Sequence, residues 1–189
     1  SVLNVPDYQG KKFEFGIVPE HQVKLAMSAL EEYKKIPSVE VWTHETIHTV
    51  LKQVEFYVDS GVFKNKNDAL EIIEEIRTMA QYLEKCAESG RKEVSSKEEN
   101  LLLYNSEVVL GTNCIYINTG PARYAYITFN TLNSLTTNNH EFCEETEHWV
   151  KNIIKKSTLI SGVAEKQRFQ FFSKMYKNID NSFERIKNL

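Results

Sequence analysis

Apolar residues change their spacing near residue 100, and this change limits the fold more than any other feature of the sequence. Before residue 100 they recur every three or four positions, which predicts amphipathic helices. The predicted helices span residues 20–35, 44–59 and 68–88. A short alternating strand, SVEVW (Ser38–Trp42), lies between the first two helices. The first half of the chain is therefore expected to be mainly helical.

After residue 100 the chain becomes rich in β-branched and aromatic residues. Three such segments are separated by turn residues, which predicts a three-stranded antiparallel meander. The predicted strands are residues 101–110, 114–118 and 123–130. A polar loop is expected over 131–140, and two helices are expected over 141–156 and 165–187. This order predicts an α+β fold, with a helical N-terminal half and then a meander packed with two C-terminal helices.

A polar stretch over residues 91–100, RKEVSSKEEN, has the composition of a linker. It divides the chain into a helical region, residues 1–90, and an α+β region, residues 101–189. The second region is expected to sense a ligand or to mediate dimerisation.

Charge and cysteine content indicate which partners and which cellular location to expect. The net charge is −3, but the residues from Trp149 onward carry nine Lys or Arg and three Asp or Glu. Only this C-terminal part is therefore expected to attract polyanions by charge alone. The three cysteines are too few, and odd in number, for a disulfide framework, which favours a reducing, cytoplasmic location. No apolar run reaches the roughly 18 residues of a membrane span, so no membrane partner is expected.

The segment from Ser38 to Ile76 resembles the ribbon-helix-helix family of DNA-binding regulators, the CopG and ParD type. The matching pieces are the strand SVEVW, the helix end YVDSG, the link VFKNKN and the start of the next helix, DALEII. Gly61 is expected to form the left-handed turn between the two helices. Asn67 is expected to cap the second helix.

This resemblance implies a homodimer, because two chains of the family pair their strands into one ribbon that enters the major groove. The strand SVEVW has no evident local partner, which also favours a dimer. Glu40 and Trp42 lie on the strand that would face the bases. The residues expected at the DNA phosphates are Lys64, Asn65, Lys66 and Asn67. The implied function is that of a small intracellular transcriptional regulator, without a cofactor and without enzymatic activity.

A zinc metallopeptidase is the first alternative, because the pentad HETIH matches H-E-x-x-H. In such enzymes two histidines one turn apart bind zinc and the glutamate acts as general base. His44 and His48 would be ligands here, and Glu45 would be the catalytic base. Asp68 follows 20 residues after His48, which resembles the gluzincin arrangement, and would supply the third ligand, with Glu71 as the next candidate.

Three tyrosines on the predicted hairpin, Tyr116, Tyr124 and Tyr126, form a further candidate site. Their even spacing within each strand could place them on one sheet face, where they could contact a small-molecule ligand. The alternative is that the predicted helix over 141–156 covers this face. The remaining alternative is a non-catalytic protein-interaction module that binds neither DNA nor metal.

Overall fold

The structure is a computed structural model that describes residues 20–63, 65–93, 97–107, 113–118, 122–128 and 134–189. Within these ranges the helices are α1 (Glu20–Lys35), α2 (His44–Asp59), α3 (Lys66–Ser89), α4 (His140–Lys155) and α5 (Glu165–Lys187). The strands are β1 (Ser38–Trp42), β2 (Leu101–Asn105), β3 (Asn113–Asn118), β4 (Arg123–Thr128), β5 (Ser134–Thr137) and β6 (Thr158–Leu159). The predicted α+β class is confirmed, with helices at both ends of the chain.

The described strands form two small sheets, each with three strands, in the orders β1-β2-β6 and β3-β4-β5. The first sheet is mixed, because β1 runs parallel to β2 while β6 is antiparallel to β2. The second sheet is the antiparallel meander. A three-stranded meander was predicted, and β3 and β4 are two of its expected strands, but its third strand is β5 and not β2.

The first correction concerns β2, which leaves the meander and pairs with β1. Leu101 and Leu103 are buried in the main core, and a parallel partner is reached only through the long α2–α3 crossover. The second correction concerns β5, which lies within the segment expected to be a polar loop. Its backbone completes the ladder of β4, so the polar side chains of Ser134, Thr136 and Thr137 do not prevent strand formation.

The main core lies between the α2–α3–α5 helices and the inner face of the β1-β2-β6 sheet. Its buried residues come from both sides of the segment predicted to be a linker. They are Ile47, Leu51, Val54, Ala69, Ile73, Ile76, Ala80, Cys86, Ala87, Leu101, Leu103, Ile160, Phe171, Phe172, Met175, Ile179 and Ile186. The apolar stripes of α3 and α5 therefore face one another within a single chain.

The turn from α2 to α3 depends on Gly61, whose φ is +71°. This left-handed conformation was predicted, and it suits a residue without a Cβ. The cap of α3 was predicted to be Asn67, which is wrong. Asn65 is the cap, and its Oδ1 accepts a hydrogen bond of 2.7 Å from the backbone N–H of Asn67. Lys64 lies outside the described residues.

Both ends of the segment 91–100 are fastened to the C-terminal end of α1. The Nζ of the buried Lys92 donates hydrogen bonds to the backbone oxygens of Tyr33, at 2.6 Å, and Ile36. The side-chain amide of Asn100 donates to Lys34 O at 2.8 Å. Lysine near a helix C-terminus satisfies carbonyls that have no partner within the helix.

Candidate functional site

Glu40 and Trp42, which were predicted to face DNA bases, make their contacts with other residues of the same chain. Glu40 accepts hydrogen bonds from the hydroxyls of Tyr33 and Ser38, and from Trp42 Nε1 at 3.1 Å. Trp42 also packs against the main core. Burial raises the pKa of Tyr33, and the adjacent Glu40 carboxylate raises it further. The hydrogen bond from Tyr33 connects the C-terminal part of α1 to β1.

The residues predicted to hold phosphates lie at the other end of α2. Asn65 and Asn67 share the cap of α3, and Lys66 Nζ donates to Lys187 O at 3.1 Å. Since α2 contains 16 residues, about 24 Å of helix separates this cluster from Trp42. One chain therefore does not bring the two sets of DNA-binding candidates together.

The HETIH pentad occupies the first turns of α2. His44 Nε2 lies 3.1 Å from Glu45 Oε1, and His48 is half-buried. Asp68 is in the first turn of α3, beyond the opposite end of α2, about 16 Å of helix from His48. Within the described ranges, no three His, Cys, Asp or Glu side chains come together as a metal site requires.

The three tyrosines do not share one face of the β3-β4-β5 sheet, contrary to the expectation from their spacing. Tyr116 pairs with Ala125, whereas Tyr124 and Tyr126 pair with Ile117 and Ile115. Cross-strand partners lie on the same face, so Tyr116 projects from one face and Tyr124 and Tyr126 from the other. The error arises because the register across the turn, and not the spacing within each strand, decides which residues share a face.

Helix α4 covers the face that carries Tyr116. Ala125 and Cys143 are fully buried there, and the Tyr116 hydroxyl donates a 2.6 Å hydrogen bond to Glu147 Oε2. Lys151 Nζ lies 2.5 Å from the other oxygen of Glu147. The hydrogen bonds from Lys151 and Tyr116 hold the pKa of Glu147 below its usual value.

A polar cleft of about 350 Å³ lies at the edge of this covered face. It is lined by Arg123, Glu144, Glu147, His148 and Lys151. Arg123 lies 3.6 Å from Glu144, and Lys151 is paired with Glu147, so the principal charges in the cleft already have partners. The arrangement acts as an ion-pair network between α4 and the sheet. In the sequence, the only sign of this network is the spacing of four residues between Glu147 and Lys151 on α4.

The opposite face, which we call the outer face, is apolar and exposed. It is formed by Ile115, Ile117, Tyr124 and Tyr126, whose exposed fractions are 54%, 48%, 45% and 36%. Ser134 and Thr136 continue this face on β5, and none of these described residues carries a charge. The second face of an antiparallel sheet is normally polar when water covers it, so four adjacent large apolar side chains indicate a contact surface.

Among the described residues, no helix combines length with enough apolar residues to cross a membrane. The chain matches no protein-family model, and comparison with curated proteins and with solved structures gave no similar protein.

Proposed function

We propose that this chain is a non-catalytic protein-interaction module that binds a second copy of itself through the outer face of the β3-β4-β5 sheet. The observation that carries the proposal is the exposure of Ile115, Ile117, Tyr124 and Tyr126 on a face that nothing else in the described chain covers. Burying such side chains between two molecules contributes about 25 cal/mol for each Å² of apolar surface removed from water.

A second copy suits this face because the face is neutral. In a two-fold dimer the same patch meets itself, and a charged patch would therefore repel its own copy. The described residues of the outer face carry no Lys, Arg, Asp or Glu, so no repulsion opposes the contact. A nucleic acid is a poor occupant, since phosphate binding depends on Lys and Arg. The outer faces of two copies can meet directly, because two antiparallel sheets pack face to face with about 10 Å between the sheets.

The proposal is tested by measuring the mass in solution by sedimentation velocity over a range of concentrations. We expect the parent to be a dimer and the double variant Ile115→Lys/Tyr126→Lys to be a monomer with an unchanged circular dichroism spectrum. Phe56→Lys is the matched control, because Phe56 is also an exposed apolar residue but lies on α2. A parent that stays monomeric at all concentrations, or a double variant that still dimerises, would overturn the proposal.

A DNA-binding regulator is the second candidate, supported by the left-handed Gly61 and the asparagine cap that begins α3. Retention on DNA that weakens with added salt, and is reduced in Lys66→Ala, would favour it over the interaction module. The parallel pairing of β1 with β2 counts against it, because it differs from a ribbon made by two chains. In either role a cytoplasmic location suits the free, buried thiols of Cys86 and Cys143.

A further inference from the structure

Among the described residues, nothing pairs with the backbone groups on the outward edge of β1. Strand β1 is the terminal strand of the β1-β2-β6 sheet. Ser38 N donates to Asn100 O at 2.9 Å, and Trp42 O accepts from Ser106 N at 2.8 Å, so these residues direct their backbone groups toward β2. Because the direction alternates along a strand, Val39 and Val41 direct theirs to the opposite edge. The described backbone hydrogen bonds include none from Val39 or Val41 on that side.

This edge lacks three of the features that normally prevent strand addition, although it carries one inward-pointing charge, Glu40. Proteins protect exposed edges with lysine, proline or a bulge inside the strand. Strand β1 contains none of these, and its register with β2 is continuous over five residues. The backbone N–H and C=O groups of Val39 and of Val41 can therefore pair with another extended chain.

Side chains beside this edge provide an apolar contact. Val39 and Leu102 are partners in the register and are 50% and 46% exposed on the same face of the sheet. Ile36, just before β1, is also exposed. On the inner face, the half-buried carboxylate of Glu40 lies at the centre of the strand. An added strand would contact apolar side chains on one face and a negative charge on the other.

A second copy of β1 fits this edge poorly in each antiparallel register. If Val39 pairs with Val41 of the second copy, the two Glu40 carboxylates lie directly opposite one another, which is destabilising. If Val39 pairs with Val39 of the second copy, Val41 lies opposite Pro37 of that copy, which has no N–H. If Val41 pairs with its own copy, Val39 meets Thr43, where the chain turns into α2.

We propose that the free edge of β1 binds an extended peptide segment of another protein by strand addition. The segment would place apolar side chains over Val39 and Leu102 and a basic side chain opposite Glu40. Main-chain hydrogen bonds provide the affinity in this binding mode, and the alternate side chains provide the specificity. The inference is independent of the proposed dimer, because it uses the other sheet and requires one copy of the chain.

The first test measures amide hydrogen exchange by NMR in the free protein and with a capped hexapeptide of alternating valine and lysine. In the free protein we expect slow exchange at Glu40 and Trp42 and fast exchange at Val39 and Val41. The peptide should slow exchange at Val39 and Val41 only. Slow exchange at all four amides in the free protein would show that the edge is already covered, and would overturn the proposal. No protection at a saturating peptide concentration would also overturn it.

A matched peptide and a matched variant complete the test. The same peptide with N-methyl groups on the residues that face the edge should bind at least tenfold more weakly, because it has lost those donors. Val39→Pro removes an outward N–H without removing a bond to β2, and should weaken binding by a similar factor. Ile117→Lys, on the outer face of the other sheet, should leave peptide binding unchanged even where it abolishes the dimer. Equal binding of both peptides would overturn the proposal.

Discussion

Ser182 on α5 donates a hydrogen bond of 2.7 Å to Oε1 of the buried Glu55 on α2. Only 5% of Glu55 is exposed, and its other oxygen accepts from Lys52 and Arg185. Arg185 also reaches Asp59 at 2.8 Å. A buried carboxylate is stable only when its charge is compensated, so this network fixes how α5 lies against α2.

Ser182→Ala is expected to lower the free energy of unfolding by about 1.5–3 kcal/mol, because it leaves one oxygen of a buried carboxylate without a donor. Urea unfolding followed by circular dichroism measures the effect. Ser173→Ala is the control, since Ser173 is exposed on the same helix. Equal stabilities of the two variants would show that the Glu55–Ser182 hydrogen bond contributes nothing net.

The same network predicts how stability depends on pH. Burial alone would raise the pKa of Glu55, but the hydrogen bonds from Lys52 and Ser182 and the charge of Arg185 outweigh it and lower this pKa. Because the pKa of Glu55 is lower in the folded chain, its ionised carboxylate stabilises the fold at pH values above the pKa of about 4.3 that it has in the unfolded chain. This stabilisation is lost as the pH falls through the pKa of Glu55 in the folded chain. The stability difference between the parent and Glu55→Gln should therefore shrink on acidification from pH near 7 to below 4. A difference that stays constant over this range would contradict the prediction.

Gly61→Val is expected to destabilise the chain by about 1–2 kcal/mol through backbone strain. A Cβ at this position meets nothing within 4 Å, so no steric contact adds to the cost of the positive φ. Gly61→Asn should cost less, because asparagine tolerates the left-handed region better than other residues. Thermal unfolding of both variants provides the comparison, and equal losses would show that φ is not the cause.

Lys92→Met is expected to destabilise the packing of α1 against the rest of the chain. The Lys92 ammonium group lies 3.9 Å from the centre of the Tyr33 ring and donates to two carbonyls at the end of the helix. Methionine fills similar space without a donor, at a cost of about 1.5–3 kcal/mol. Amide exchange in α1 should accelerate at least tenfold. The exposed Lys85→Met on α3 is the control, and unchanged exchange in α1 would show that Lys92 is not its anchor.

The helices could be predicted from the amino-acid sequence alone. The stretches 20–35, 44–59 and 165–187 were predicted from apolar spacing and are the helices α1, α2 and α5, while α3 and α4 begin or end within two residues of the expected positions. Helical hydrogen bonds join residues four apart, so the pattern that stabilises a helix is contained in the helix. The left-handed turn at Gly61 was predictable for the same local reason.

Which strands pair, and which side chains share a face, depends on contacts between distant parts of the chain. SVEVW was recognisable as a strand, but its parallel partner lies beyond α2 and α3, about 60 residues along the chain. The three tyrosines were recognisable as strand residues, but the register separates Tyr116, under α4, from Tyr124 and Tyr126 on the exposed outer face. Strand pairing is stabilised by hydrogen bonds to distant residues and by burial against whichever element packs there. Spacing within one strand specifies neither, and the outer face and the open edge of β1 therefore emerged only from the fold.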